Sequence, residues 1–206
     1  MIIIMLSQIR PAVVLLVLFT ALTGLVYPLA VTGVAQLALA AHANGSLVYV
    51  NGNPVGSELI GQNFAADKYF HSRPSATQAQ DPAHPDDSSK TIDAPYNAAN
   101  STGSNLGPTS QKLLDRVSAD VKAKRDAGWT GPIPADAVTT SASGLDPDIS
   151  PPNAVAQVAA VAKARGLSED KVRALVETQV KGRVAGVFGE PRVNVLALNL
   201  ALDALK

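Results

Sequence analysis

The hydrophobic pattern of the chain starts with one long stretch that contains no charge. Arg10 is followed by no Asp, Glu, Lys or Arg until Glu58, and residues 12–39 within that gap are nearly all apolar. A helix needs about 20 apolar residues to cross a hydrocarbon core about 30 Å thick. The stretch exceeds that length, so it predicts one transmembrane helix over residues 11–41, crossing with a tilt or with a kink at Pro28.

Two small residues inside this stretch indicate a contact with another helix. Thr20 and Gly24 lie four positions apart, the spacing at which small side chains let helices approach closely in lipid. Both residue types are also tolerated in membrane helices that have no partner, which is the alternative interpretation. We expect Thr20 and Gly24 to face a partner helix, because a lone anchor has no need of such a surface.

A cleaved signal peptide is the alternative interpretation of the whole stretch. Signal peptides carry an apolar region of roughly 7–15 residues before a small-residue cleavage site, and residues 38–43 resemble such a site. The apolar run is too long for that class, which favours a retained anchor. Arg10 precedes the helix, and the next basic residue, Lys68, lies far beyond it. The positive-inside rule therefore predicts a cytoplasmic N-terminus (1–10) and an extracytoplasmic domain (42–206).

The pattern beyond the anchor predicts an α+β domain with a small sheet followed by three to four helices. Residues 47–50 are predicted to form a strand, and Asn51-Gly52 supplies the positive φ angles of a tight hairpin turn before a returning strand over 55–60. Residues 78–107 are rich in Pro, Gly, Asp, Asn and Ser, and they are expected to form a long polar loop that contacts a partner.

Four segments in the second half of the chain have the sequence signals of helices. The first is expected over 108–127, with Pro108 at its first position. Ser150 is expected to cap a second helix that stops at Gly166, and Ser168 a third. Residues 193–205 alternate like a strand but have the composition of a helix, and we expect a helix there.

Composition narrows the functional classes. The 17 basic and 17 acidic residues give a formal net charge of zero, so the charge balance does not suggest a nucleic-acid partner, which would need a basic face to neutralise its phosphates. The chain has no cysteine, which excludes disulfides, thiolate catalysis and cysteine-bound zinc.

Signals for hydrolytic catalysis are weak. The three histidines, His42, His71 and His84, lie beside the membrane stretch or in loop-like sequence, and no Gly-x-Ser-x-Gly occurs. Ser168 and Lys171 match Ser-x-x-Lys, but the companion motifs of that enzyme class are missing. A capping serine and a surface lysine explain the pair, and no catalytic residue is assigned.

Signals for ligand binding are equally weak. Asp81, His84, Asp86 and Asp87 offer metal ligands, but the prolines among them favour a solvated turn, and no metal is expected. Residues 103–110 open a helix without the lysine of a phosphate-binding loop. One helix cannot enclose a pore, and no potassium-filter sequence is present. These weak catalytic and binding signals together indicate a non-catalytic accessory protein, and no cofactor-binding residues are assigned.

Several sequence blocks resemble a known family, the C subunit of the Kdp potassium-transporting ATPase, a bacterial P-type pump complex. They occur in family order along nearly the whole chain, at residues 24–29, 56–62, 69–76, 103–108, 141–151, 189–195 and 199–203. Any one block is a weak signal, whereas the ordered set is specific.

The resemblance implies a single-pass subunit of the bacterial inner membrane. Its implied partners are a potassium-selective channel-like subunit, an ATP-hydrolysing pump subunit and a small membrane peptide. It also implies help in assembly and a role as a catalytic chaperone that raises the ATP affinity of the pump subunit. ATP is cytoplasmic, so an extracytoplasmic domain acts on it only through the complex. We therefore expect no cofactor bound by the chain alone, and a domain that caps or braces the potassium-selective subunit.

Polar residues inside the family blocks are the candidate interface positions: Arg73, Asn105, Ser143 and Arg192. A structural hydrogen-bonding role is the alternative for each of them. A stand-alone, signal-anchored periplasmic enzyme or binding protein is the alternative function. A nucleotide-binding modulator facing the cytosol is a third, and it requires the opposite membrane orientation.

Overall fold

The computed structural model describes residues 2–205, with side chains from residue 7 onward. The chain divides into two compact units, Met1–Leu47 and Val48–Lys206. Met1 and Lys206, the ends of the predicted cytoplasmic and extracytoplasmic segments, lie outside the described residues. The α+β class, with one apolar helix before a domain of small sheets and helices, is confirmed.

The described part of the first unit is mostly helical. Its elements are α1 (Ile2–Ala21), a π-helical turn (Leu22–Val26), α2 (Tyr27–Ala38) and the short α3 (Ala40–Ala43). Among the described residues, Ser7–Ala38 is the one helix that is long and apolar enough to cross a membrane, judged by length and composition. Its 32 residues extend over roughly 48 Å at 1.5 Å per residue, more than a hydrocarbon core of about 30 Å requires.

Proline explains the change of helical register inside this span. In a regular α-helix the carbonyl of Gly24 would accept from the N–H of residue 28, but Pro28 has none. The backbone widens just before it, and the Tyr27 N–H donates to the carbonyl of Leu22, five residues back. The Thr23 hydroxyl donates to the carbonyl four residues earlier at 2.6 Å. The irregularity expected at Pro28 therefore takes the form of a π-helical turn preceding it.

Within residues 2–205 the structure has three small sheets, where only one was expected. The strands are β1 (Leu47–Val50), β2 (Asn53–Ser57), β3 (Gln78–Gln80), β4 (Thr91–Asp93), β5 (Asp148–Ile149), β6 (Val180–Lys181) and β7 (Arg192–Asn194). They pair as β1-β2, β3-β4 and β5-β7-β6. Asn51 and Gly52 have φ angles of +52° and +81°, which confirms the predicted hairpin turn. The β3-β4 pair lies inside the segment expected to be a polar loop.

The described part of the second unit also contains four helices, within the range that was expected. They are α4 (Gln111–Asp126), α5 (Pro151–Arg165), α6 (Glu169–Gln179) and α7 (Val195–Ala204), with a 3₁₀ turn at Ala135–Ala137. Ser150 and Ser168 cap α5 and α6, and Gly166 ends α5 in the left-handed conformation, as the sequence predicted. The first helix was predicted to begin at Pro108. It begins three residues later, because Pro108 lies in a turn and Ser110 precedes the helix.

The hydrophobic core lies among α5, α6 and α7 and the strands β5 and β7. Its buried members are aliphatic apart from one aromatic ring, and they are Phe70, Ile149, Ala154, Val158, Val161, Ala162, Val172, Val176, Val193, Val195, Leu198 and Leu202. Residues 193–205, ambiguous in sequence, contain β7 and then α7, whose first turn is capped by the side chain of Asn194. This packing supplies the apolar burial that stabilises the unit.

Two buried amide side chains hold an extended segment against this core. Asn199, on α7, accepts from the Phe70 N–H at 2.8 Å and donates to the Phe70 carbonyl at 3.0 Å. Gln157, on α5, makes the same pair of bonds to His71, at 2.8 and 3.1 Å. Because the amides satisfy backbone groups that water cannot reach, they fix the path of the chain into Arg73.

Candidate interaction site

Arg73 follows the segment that α5 and α7 hold in place, and its side chain belongs to a network of polar contacts. Its Nη1 atom donates to Asp146 Oδ2 at 2.8 Å, and its Nη2 atom donates to the carbonyls of Thr139 and Thr140 at 3.4 and 3.3 Å. Its own carbonyl accepts from the Tyr96 hydroxyl at 2.9 Å. The guanidinium is thus directed inward, and three of its contacts position backbone or carboxylate groups of the chain.

The second predicted arginine belongs to the same site. Arg192 Nε lies 3.0 Å from Asp148 Oδ2, and the Asp148 N–H donates to Asp146 Oδ1 at 3.1 Å. Burial raises the pKa of Asp148, and the charge of Arg192 opposes that shift. We call Arg73, Asp146, Asp148 and Arg192 the arginine–aspartate cluster. It joins residues far apart in sequence through one Asp-Pro-Asp turn.

Ser143 shapes the loop that leads into this turn. Its hydroxyl accepts from the Leu145 N–H at 3.1 Å, and its carbonyl accepts from the Ser101 hydroxyl at 3.0 Å. Gly144 follows, with a φ of +68°. It lies so close to Thr77 that a Cβ added to the glycine would lie 2.5 Å from Thr77 Cγ2. The Ser143 residue itself is exposed, so its backbone-directed bonds leave the loop surface open to contact.

Asn105 lies on a segment that packs beside this loop. It is exposed and has a φ of +51°, a left-handed conformation that asparagine tolerates better than most residues. The neighbouring Ser104 hydroxyl accepts from Thr140 Oγ1 at 3.4 Å. An added Cβ on Gly103 would lie 2.7 Å from the Ala142 carbonyl oxygen. The structure thus brings Arg73, Asn105, Ser143 and Arg192 into one polar region.

Two surface depressions adjoin Arg73. One, of about 560 Å³, is lined by Arg73 together with Leu59, Ile60 and the loop residues 140–147. The other, of about 530 Å³, includes Tyr96 and Lys124. Burial raises the pKa of Tyr96 to about 12 and lowers that of Lys124. Both depressions combine apolar walls with a few polar groups, as binding surfaces commonly do.

In the structure, the residues of the weak catalytic and metal-binding motifs form turns and a helix cap. The Ser168 hydroxyl accepts from the Lys171 N–H, so this serine caps α6. His84 Nδ1 lies 2.9 Å from Asp81 Oδ2, which lowers the pKa of that carboxyl within an exposed turn. Asp87 accepts from its neighbour Ser89. Within residues 2–205, no group of three or more His, Asp or Glu side chains is arranged to hold a metal ion.

The two membrane positions lie on an open helix surface. Thr20 is exposed near the end of α1, and Gly24 lies in the π-helical turn with no atom within 4 Å of an added Cβ. Because the π-helical turn has a wider repeat than an α-helix, residues four positions apart are rotated here relative to their positions in a regular α-helix. The contact of Thr20 and Gly24 with a partner helix stays a prediction.

The candidate positions chosen from the sequence did not include the carboxylates that organise the cluster, although both lie in the family block 141–151. Asp146 and Asp148 flank a proline, a signal of a rigid turn that presents two acidic groups. Sequence reasoning also missed an exposed apolar hairpin at residues 183–190. The signal was present, since apolar and glycine residues there are bounded by Arg183 and Glu190, two residues of opposite charge.

Comparison with known proteins gives one consistent result. Residues 9–204 match the family model described as KdpC, the c chain of a K⁺-transporting ATPase. A potassium-transporting ATPase KdpC subunit of Rhodopseudomonas palustris strain BisB18 is 61% identical over 202 residues, covering 98% of this chain and 100% of that protein. The proteins of the same name from Bradyrhizobium diazoefficiens and Methylobacterium nodulans are each 60% identical, over 97% and 98% of this chain and 98% of each relative. The family resemblance expected from the sequence blocks is confirmed.

Proposed function

Because the chain belongs to the KdpC family of K⁺-transporting ATPase c chains, we propose that it is a non-catalytic accessory subunit of an ATP-driven potassium uptake complex. The family match along nearly the whole chain carries this proposal. The geometry supports it, since the polar groups of the family blocks hold loops and turns in place. Because these side chains stabilise the chain's own loops and turns, the domain is suited to present a surface of fixed shape to partners.

The second unit is placed outside the cytoplasm in this proposal. The supporting observation is the distribution of basic residues, with Arg10 before the candidate span and the next one at Lys68. The chain then lies in a bacterial inner membrane as a single-pass protein with a cytoplasmic N-terminus. There its second unit caps or braces the potassium-selective subunit, while the span packs beside other membrane helices through Thr20 and Gly24.

An effect on ATP affinity, if the pump subunit shows one, is transmitted through the complex. A domain across the bilayer cannot touch cytoplasmic nucleotide, so it acts by binding one conformation of the pump better than another. Linkage then imposes a reciprocal result: when the chain raises ATP affinity by some factor, ATP raises the affinity of the chain for the complex by the same factor. Because this equality holds for any coupling, ATP binding to the isolated chain is the measurement that separates transmitted coupling from nucleotide binding by the chain itself.

Co-purification is the first test. A tagged full chain, expressed with the other subunits of its ATPase, is expected to carry the channel-like subunit, the pump subunit and the small membrane peptide through purification. Deleting the chain is expected to abolish potassium-stimulated ATP hydrolysis in the remaining complex. A chain that purifies alone, with hydrolytic or ligand-binding activity of its own, would instead support the stand-alone periplasmic protein.

Membrane orientation has a separate test. Reporters that are active in only one compartment, fused after the C-terminus, are expected to be active outside the cytoplasm. Moving the basic charge, by Arg10→Gln with lysines added after Ala38, is expected to weaken that preference. A wild-type C-terminus found in the cytoplasm would overturn the cap proposal and support the cytosol-facing modulator.

A further inference from the structure

Two Asn-Gly pairs lie close together in the sequence, at residues 44–45 and 51–52. In such a pair the backbone nitrogen of the glycine can attack the side-chain carbonyl carbon of the asparagine, because glycine has no side chain that hinders the approach. Asparagine is accordingly one of the chemically labile residues of proteins. Since the two pairs share the same chemistry, the structure around each of them decides which one reacts.

Asn44 is held in place at both of the groups that would react. Its Nδ2 atom donates to Gln36 Oε1 at 3.1 Å and to the Ala40 carbonyl at 2.7 Å, and its Oδ1 atom accepts from Gln36 Nε2 at 3.3 Å. The nitrogen of Gly45, which would be the nucleophile, donates to the His42 carbonyl at 3.0 Å. Attack at Asn44 therefore requires several hydrogen bonds at the end of α3 to break first.

Asn51 has no comparable restraint. It is exposed at the tip of the β1-β2 hairpin, and among residues 2–205 no group forms a hydrogen bond with its side-chain amide. The space beside Gly52 is open, since an added Cβ there would have no atom within 4 Å. Neither the amide that would leave nor the glycine that would attack is covered by the rest of the chain.

The turn must open before the two groups can react. Asn51 has a φ of +52°, and in this left-handed conformation its Cβ lies near its own carbonyl oxygen rather than near the Gly52 nitrogen. Opening is local, because β1 and β2 pair only with each other among the described strands, and an isolated two-stranded hairpin is marginally stable. The base of β2 is held separately, by the bond from Gln62 Nε2 to the Val55 carbonyl at 2.7 Å.

We propose that Asn51 is a site of spontaneous deamidation and that Asn44 is protected from it, so that the chain acquires a negative charge at the hairpin tip as it ages. The Gly52 nitrogen forms a bond with Cγ of Asn51, the Cγ–Nδ2 bond breaks, and ammonia leaves with the proton of the Gly52 nitrogen. Water then adds to the cyclic imide and opens it to aspartate or isoaspartate. Nothing is oxidised or reduced, and water is the only co-reactant.

The products change the hairpin in two ways. Residues 11–57 contain no Asp, Glu, Lys or Arg, so the new carboxylate is the first such charge between Arg10 and Glu58. Isoaspartate also adds one carbon atom to the backbone of the turn, which alters the register of β1 against β2. The reaction is independent of the ATPase partners, because only water and groups of this chain take part.

Ageing the purified full chain in detergent at mildly alkaline pH tests the assignment. Chymotryptic cleavage after Leu39, Leu47 and Tyr49 places the two asparagines in different peptides, and mass spectrometry follows the replacement of amide nitrogen by oxygen in each. In the folded chain we expect Asn51 to convert at least about tenfold faster than Asn44, because hydrogen bonds hold only the latter. The chain in strong denaturant is the matched control, where the two sites should convert within about threefold of each other.

A variant separates protection by the structure from intrinsic reactivity. Gln36→Leu removes one partner of the Asn44 amide and is expected to raise conversion at Asn44 by about twofold or more, while conversion at Asn51 stays unchanged. Circular dichroism checks that the variant folds. An unchanged Asn44 rate in the folded variant would contradict its protection by Gln36.

Three results with the wild-type chain would overturn the proposal. The first is an equal rate at the two sites in the folded chain. The second is an Asn51 that converts in denaturant but not in the folded chain, which would show that the turn itself protects it. The third is a rate difference that persists in denaturant, because the fold would then not be its cause.

Discussion

Two regions of the second unit are held together in different ways. In α5, α6 and α7, with β5 and β7, apolar side chains pack into the core and several are completely buried. Between residues 71 and 136, by contrast, Thr77 is the only buried residue, and α4 has none. The chain there is held by hydrogen bonds from side chains to backbone. Apolar burial therefore supplies most of the stability in one region, while polar bonds chiefly specify shape in the other.

This difference indicates which region should tolerate substitutions and which should make functional contacts. A polar region with few buried contacts opens locally at lower free energy than the packed helices. It also contains Arg73 and the segment around Asn105, which we place in the interaction site. The rigid helical region, in turn, carries both the 183–190 hairpin and the amides that fix Phe70 and His71. The following four variants test this contrast in order of decreasing expected effect.

The helical region should respond most strongly to loss of apolar volume. Leu198 is fully buried on α7, and Leu198→Ala is expected to lower the free energy of unfolding by about 4 kcal/mol, through lost burial and the cavity that remains. Chemical denaturation of the full chain in detergent, followed by circular dichroism, measures the change. Leu114→Ala, on the exposed side of α4, serves as the matched control and should change it by less than about 0.5 kcal/mol.

A buried amide should matter nearly as much as a core leucine. Asn199→Ala leaves the N–H and the carbonyl of Phe70 without partners in the core, with an expected cost of about 3 kcal/mol. Denaturation under the same conditions measures it, with Asn63→Ala, at an exposed position, as control. An effect equal to that of the control would show that water or other groups replace the amide.

The polar region should show a smaller and more local response. The Thr77 hydroxyl donates to the Ala94 carbonyl at 2.6 Å and accepts from the Asn97 N–H at 3.1 Å. Thr77→Val keeps the shape but removes both bonds, at an expected cost of about 1–2 kcal/mol. Hydrogen exchange should quicken in residues 78–107 and remain slow in α5 and α7. Equal acceleration in both regions would mean that they open as one cooperative unit.

At neutral pH the last variant, Tyr96→Phe, removes one hydrogen bond and should have the smallest effect of the four, and its pH dependence appears on alkaline titration. Burial raises the pKa of Tyr96 from 10.0 to about 12, so the fold favours the neutral phenol. Stability from this group is complete below pH 10 and is lost as the pH rises from 10 to 12, because the unfolded chain ionises first. Tyr96→Phe should show a shallower fall of unfolding free energy with pH across that window. Identical slopes for the two proteins would contradict the assigned burial effect.

Local signals in the sequence predicted much of the helical architecture. The uncharged stretch, the serines at 150 and 168 and the glycine at 166 each act through their immediate neighbours, so a single sequence contains the necessary information. Pro28 likewise predicted an irregular helix. Its specific form, a π-helical turn, depends on how the backbone redistributes hydrogen bonds, which residue identity alone does not determine.

Long-range pairings were beyond the reach of sequence patterns. Strands such as β5 and β6 have two residues each, too few to show an alternating period. The arginine–aspartate cluster joins Arg73 to Asp146 across 73 positions. Arg73 and Arg192 were chosen as separate candidates within family blocks, and only the fold shows that one turn serves both. The 183–190 hairpin was missed because apolar sequence is ordinarily taken as core, and exposure is a property of the folded chain.

The contact between Phe70 and Asn199 also sets the order in which the protein can mature. The two residues are 129 positions apart, and Asn199 is translated well after both Phe70 and the candidate span Ser7–Ala38. The membrane span leaves the ribosome long before this contact can form, so insertion into the bilayer precedes completion of the fold. A nascent chain cut short before α7 would be unable to bury Phe70, and we expect quality-control proteases to recognise that exposed ring.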